Sequence, residues 1–203
     1  NRSGGVVIPV DVQRKLWEQA QQHGVKVHID GARLFNAAIA SGKSPSEFAQ
    51  YADTVTFCLS KGLGCPVGSV LCGSHGFISR AKRVRKMLGG GMRQAGILAA
   101  AGIYALENNV QRLAEDHANA KRLAEGLNGT PGIHLEEEVP PTNMIYFRTD
   151  ALAESLITAM EAHGVIASTV SAYRIRLVTH LDVDAQDIER TIEVIKDVAT
   201  ACH

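Results

Sequence analysis

The chain has 203 residues, 45% hydrophobic and 21% charged, the proportions of ordinary globular material, and its length holds one large or two small domains. Its 21 Lys and Arg balance 21 Asp and Glu, so the net charge is zero and the overall field favours neither nucleic acid nor an anionic membrane surface. No apolar run reaches membrane-spanning length.

In chain order, Asp11 to His23 is predicted as a helix with Asp11 as N-cap and Gly24 as its stop. Val25 to Ile29 follows as a strand that delivers Asp30 to its C-terminal end, the edge where open α/β sheets hold ligands. Arg33 lies three residues on, and an isolated Asp-Gly-Ala-Arg can equally be a turn that caps the next helix. Thr54 to Leu59 is the next predicted strand, and it runs into Ser60-Lys61-Gly62. A lysine between a buried strand and a glycine-rich loop either caps the strand or serves covalent amine chemistry. Gly68 to Cys72 is a third strand, and Phe77 to Leu88 and Gln94 to Glu107 are helices.

Arg80, Lys82, Arg83, Arg85, Lys86 and Arg93 form a basic cluster without the interleaved aromatics of a nucleic-acid face. Lys86 and Arg93 flank Gly89-Gly90-Gly91, whose amides either suit an anion or permit a tight turn. These two are candidates for phosphate or inter-subunit contacts. Cys58, Cys65, Cys72 and Cys202 lack zinc or disulfide spacing. Three of them, Cys58, Cys65 and Cys72, lie in or beside predicted core strands, where free cysteine behaves as a small hydrophobe, and a reduced, cytoplasmic protein is the simple inference. The histidines do not form a metal site, and His28, two residues before Asp30, reads as packing or support.

A boundary is expected near residue 108, which makes 1–108 the end of a large cofactor domain and 109–203 a small α+β domain. A charged helix runs to Leu127, and Gly129 to Pro141 reads as a loop with the acidic run Glu136-Glu137-Glu138. Met144 to Phe147, Val165 to Ala167 and Ile175 to Val178 are strands, with Ala151 to His163 and Asp184 to Ala199 as helices. Alternation of strands and helices makes the chain α/β. Strand alternation puts Arg174, Arg176 and Val178 on one face. Both arginines read plainly as solvated charges; Arg174 stays a surface residue, and Arg176 is the one weighed as a carboxylate fork.

Asp30 and Lys61 together fit pyridoxal 5'-phosphate. The carboxylate keeps a pyridine nitrogen protonated and the amine holds the aldehyde. The strings His28-Ile29-Asp30-Gly31-Ala32-Arg33-Leu34-Phe35-Asn36-Ala37, Cys58-Leu59-Ser60-Lys61-Gly62-Leu63-Gly64, Arg85 to Gln94 and Arg176-Leu177-Val178-Thr179-His180 then resemble the L-threonine aldolases. These are pyridoxal-phosphate enzymes of the aspartate-aminotransferase-like fold type I.

The resemblance implies retro-aldol cleavage of L-threonine or L-allo-threonine to glycine and acetaldehyde by a homo-oligomer. It implies Lys61 and Asp30 as catalytic residues, Arg33 and Ser60 as further cofactor contacts, and Arg176 as the substrate-carboxylate anchor. His180 is a weaker candidate for touching substrate. Members of that family carry a long N-terminal portion with no counterpart here, so the chain reads as the C-terminal part of a larger enzyme. Another fold type I lyase, a transaminase or an inactive fragment remain as alternatives.

Overall fold

The computed structural model describes residues 4–201, so Cys202 and the opening Asn1-Arg2-Ser3 lie outside the described residues. The chain divides into two units, 7–113 and 114–203, with residues 1–6 grouped with the second. The division therefore falls a few residues beyond the boundary expected from sequence.

In the first unit, helix α1 (Val10–Gln22) starts after Pro9, whose carbonyl accepts from the Gln13 amide. Asp11 lies in the first turn rather than at the cap. Gly24, at φ +64°, ends the helix as expected. Strand β1 (His28–Asp30) is shorter than its apolar pattern predicts. The extended residues before it are held by Asp53, which takes the Val27 amide at 2.9 Å and the Lys26 ammonium at 2.9 Å.

Two helices follow that the sequence reading did not delimit: α2 (Leu34–Ser41) and α3 (Pro45–Ala49). A reciprocal Ser44–Glu47 capping box with Pro45 at the first position starts α3. Strand β2 (Thr54–Cys58) lies parallel to β1, with Asp30 opposite Thr56, and β3 (Ser69–Gly73) lies antiparallel on its other side. Helices α4 (His75–Met87) and α5 (Gly96–Asn108) complete the unit.

Strand alternation splits this sheet into an apolar and a polar face. Val55 packs with Leu34, Ala38 and Phe48. Phe57 meets Phe35 edge-on at 5.1 Å. On the opposite face stand His28, Thr54, Thr56 and Ser69.

The second unit is a two-layer domain. Helix α6 (Leu113–Leu127) begins at its border, and the sheet contains β4 (Ile133–Leu135), β5 (Met144–Thr149), β6 (Ser168–Ser171) and β7 (Arg174–Val178). Their order is β4-β5-β7-β6, every pair antiparallel. Ile145, Phe147, Ile175 and Leu177 bury one face of the sheet against α6, α7 (Ala153–Ala162) and α8 (Ala185–Ala201), through Leu123, Leu156, Met160, Ile192 and Ile195.

Two expectations are corrected in this unit. The segment read as a loop from Gly129 to Pro141 contains β4, which is recruited by pairing with Phe147 to Thr149. The strand expected at Val165 to Ala167 starts instead at Ser168. Gly164 (φ +82°) and the bond from the Val165 amide to the Met160 carbonyl still belong to the end of α7.

Candidate active site

Because β1 and β2 run parallel and in register, their C-terminal ends reach one edge of the sheet. Asp30 closes β1, and Lys61 follows three residues after the end of β2. Both side chains are exposed. Their backbones are held tightly all the same. The Gly31 amide donates to the Thr56 carbonyl at 2.8 Å, and a Cβ on Gly31 would stand 2.9 Å from that oxygen. A Cβ on Gly62 would meet the Leu113 side chain at 2.8 Å and Asn36 Oδ1 at 3.1 Å. The Gly31 approach is to a backbone oxygen and requires glycine, whereas at Gly62 the Leu113 and Asn36 side chains would have to give way.

The Lys61 loop is anchored from both sides. Leu59, Leu63 and Cys65 are buried while Ser60 and Lys61 point to solvent. The Leu59 amide donates to Gly68, the Gly64 amide to the Lys61 carbonyl, and Asn109 Nδ2 to the Leu63 carbonyl at 2.8 Å. Burial pushes the Cys65 thiol pKa up, and its Sγ donates to the Ala101 carbonyl. Cys58 is half-buried and Cys72 exposed, so the reading of both as core residues is corrected by their positions next to the open sheet face and edge. The mouth at Lys61 is wetter than its apolar strand predicts.

His28 bonds to both hydroxyls presented by the neighbouring strand, Nδ1 with Thr54 Oγ1 at 2.8 Å and Nε2 with Thr56 Oγ1 at 2.9 Å. This is the support expected of it, and no cluster that could hold a metal occurs among the described residues. Arg33 is half-buried at the start of α2.

Lys86 and Arg93 are exposed. The triple glycine resolves toward the turn reading. Gly89 (φ +82°) and Gly90 donate to the Lys86 and Arg85 carbonyls, the Schellman arrangement that stops α4. Lys86 folds back so that a Cβ on Gly91 would lie 2.7 Å from its Cδ.

In the second unit the two arginines of β7 part company. Arg174 is not a free surface charge. Its Nε and Nη2 donate to Glu136 Oε1 and Oε2, both at 2.7 Å, and its guanidinium sits 4.4 Å over the Tyr146 ring. The bond to Arg174 holds the Glu136 carboxyl below the usual carboxylate range. Arg176 is half-buried and opposite Tyr146, and its buried Nε meets no acceptor among the described residues. An unsatisfied buried guanidinium N–H is costly, and an anionic ligand would satisfy it.

Thr179, just beyond β7, is buried and donates to the Asp116 carbonyl at 2.6 Å, while Asn143 Nδ2 donates to the Thr179 carbonyl at 2.8 Å. His180 turns to its own loop, with Nδ1 3.4 Å from Asp182. Sequence reasoning missed the Glu136 and Thr179 contacts. Alternation along Arg176 to Thr179 was a usable signal for a buried Thr179. Nothing local marks Glu136, whose partner is 38 residues away.

The sequence matches the Beta-eliminating lyase family over residues 1–150. The chain belongs to that family. Among relatives of this beta-eliminating lyase chain, low-specificity L-threonine aldolase 1 of Arabidopsis thaliana is 47% identical over 194 residues, covering 94% of this chain and 54% of the relative. The low specificity L-threonine aldolase of Escherichia coli strain K12 is 47% identical over 189 residues, 93% of this chain and 55% of that one. The chain thus spans about half the length of the curated relatives it matches. A solved structure of Leishmania major threonine aldolase superposes with a TM-score of 0.75 at 20% identity, covering 94% of this chain and 56% of that chain. The fold is the aspartate-aminotransferase-like, fold type I architecture read from the motifs.

Proposed function

We propose that this chain belongs to a pyridoxal-phosphate-dependent aldehyde-lyase that cleaves L-threonine or L-allo-threonine to glycine and acetaldehyde. The observation that carries the reading is the delivery of Asp30 and Lys61 to one sheet edge by adjacent parallel strands, each followed directly by a closely packed glycine. The relatives' names support the substrate class.

The donor set fits the cofactor. An exposed primary amine on a braced loop can hold its aldehyde carbon, and a carboxylate on the adjoining strand can pair with its ring nitrogen. Ser60 and Arg33 are its further contacts in this reading. When bound, pyridoxal phosphate accepts the electrons released from a bond at the amino acid's Cα. The chain's own residues bind and orient. Asp30 keeps a proton at the ring nitrogen through its opposite charge. Arg176 takes the substrate carboxylate with the guanidinium whose Nε is otherwise unsatisfied.

Borohydride reduction of the whole enzyme followed by peptide mapping is expected to place the cofactor on Lys61. Lys61→Ala is expected to lose both the visible cofactor absorbance and threonine cleavage while keeping its far-UV ellipticity. Cofactor mapped to another lysine, or turnover retained by Lys61→Ala, would refute the reading.

A further inference from the structure

The two arginines of β7 stand on one face of the strand, two residues apart, yet only one is available. Two positions along a strand lie roughly 7 Å apart; Tyr146 is opposite Arg176 in the ladder and carries the Arg174 guanidinium 4.4 Å over its ring. Two free guanidiniums at that spacing would take a dicarboxylate, one carboxyl on each fork.

Glu136 prevents this. Its backbone is fixed to β5 by the bond from its amide to the Tyr146 carbonyl at 3.0 Å. Its two carboxylate oxygens fill the donor edge of Arg174 at 2.7 Å each. The side chains are 24% exposed for Arg174 and 28% for Glu136, which is itself a surface residue. Arg148 also approaches Glu136, at 3.8 Å, but from solvent. A depression of about 240 Å³ opens beside the pair, lined by Glu136, Met144, Tyr146 and Arg174. The depression gives room for a carboxylate at Arg174, although Arg176 does not line it, and the acceptor now at Arg174 is the protein's own.

We propose that Glu136 is a specificity-determining residue: by occupying Arg174 it leaves Arg176 as the one carboxylate fork on this strand face, and so restricts the enzyme to monocarboxylic β-hydroxy-α-amino acids. The inference rests on the reading of Arg176 as the substrate-carboxylate anchor. Glu136 acts in two ways, by removing the guanidinium from use and by repelling a second negative charge, and selectivity against a competitor often needs such a repulsive element. Arg174 lies 4.4 Å over the Tyr146 ring, a contact independent of Glu136 that is expected to keep the second fork in place when Glu136 is neutralised.

The test uses the whole enzyme loaded with pyridoxal phosphate. KM and kcat are measured for L-threonine and for β-hydroxyaspartate, whose retro-aldol cleavage yields glycine and glyoxylate, and succinate and butyrate serve as competitive inhibitors. Glu136→Gln is expected to lower KM for β-hydroxyaspartate and the inhibition constant of succinate by at least tenfold, with butyrate shifted far less. Glu136→Gln combined with Arg174→Gln is expected to return both to wild-type values. Should the first variant lose its far-UV ellipticity, Glu136→Ser opens the same fork and is read the same way.

An unchanged diacid-to-monoacid ratio in a folded Glu136 variant overturns the proposal, as does a gain that survives loss of Arg174. Arg176→Lys separates the two readings. Silence of this variant on both substrates refutes the anchor itself. A loss on both substrates, together with an unchanged ratio in the Glu136 variants, refutes only the selectivity.

Discussion

The candidate site residues stand out in the sequence because each sits at a break in pattern. Lys61 and Asp30 interrupt apolar strands at their ends, and a charge there asks for a reason. What hid from the sequence were the residues that act through partners far along the chain. Glu136 read as one of three acids in a loop, and Arg174 as a surface charge, whereas the fold brings them within 2.7 Å. Thr179 is a similar case. Its hydroxyl is buried and donates to Asp116 at 2.6 Å, tying the end of β7 to α6. Thr179→Val keeps the shape and removes the donor, leaving the Asp116 carbonyl with one partner fewer, a cost of about 1–3 kcal/mol. A lowered urea midpoint with an unchanged denaturant slope is the expected result, and an unchanged midpoint would show that water replaces the bond.

At the scale of elements, length decided what could be read. The long helices α1, α4, α5 and α8 were predicted to within about two residues, in keeping with the usual uncertainty of helix ends. The three-residue β4 and the displaced β6 were not, because strands so short have no period of their own and are defined by the neighbour they pair with. Helix packing leaves its own mark at Gly126, in the last turn of α6. A Cβ there would stand 2.7 Å from Ile192 Cγ1 on α8, with Cδ1 closer still. Alanine favours an isolated helix over glycine by about 1 kcal/mol. Here, however, the overlap dominates, and Gly126→Ala is expected to destabilise by roughly 1–3 kcal/mol. Adding Ile192→Ala should recover less than the full loss, since it opens a cavity of its own, yet the two changes should be non-additive by thermal denaturation. Strict additivity would mean that α6 and α8 do not bear on each other at this point.

Across the molecule, the groups whose ionisation is tied to the fold divide the pH axis into two ranges. Burial pushes the His117 pKa below that of a free imidazole, so between the folded value and about 6.5 the unfolded chain binds the extra proton. Stability from His117 is therefore complete above that upper limit and is lost as pH falls through the folded value. The carboxylates behave alike but lower down. Glu136 is held down chiefly by its bond to Arg174, and Asp53 chiefly by its bond to Lys26. Their contributions are present above the ordinary carboxylate range, near pH 4, and disappear as pH falls through the depressed values. The urea midpoint, followed by far-UV ellipticity, should accordingly decline from pH 7.5 to 5.5 before any carboxylate is protonated. His117→Gln, which cannot titrate, should flatten that decline while leaving the steeper loss below pH 4.5 in place. A mutant with the wild-type slope between pH 7.5 and 5.5 would remove His117 from the account. A mutant flat through the acid range would place the carboxylate effect, too, in its surroundings.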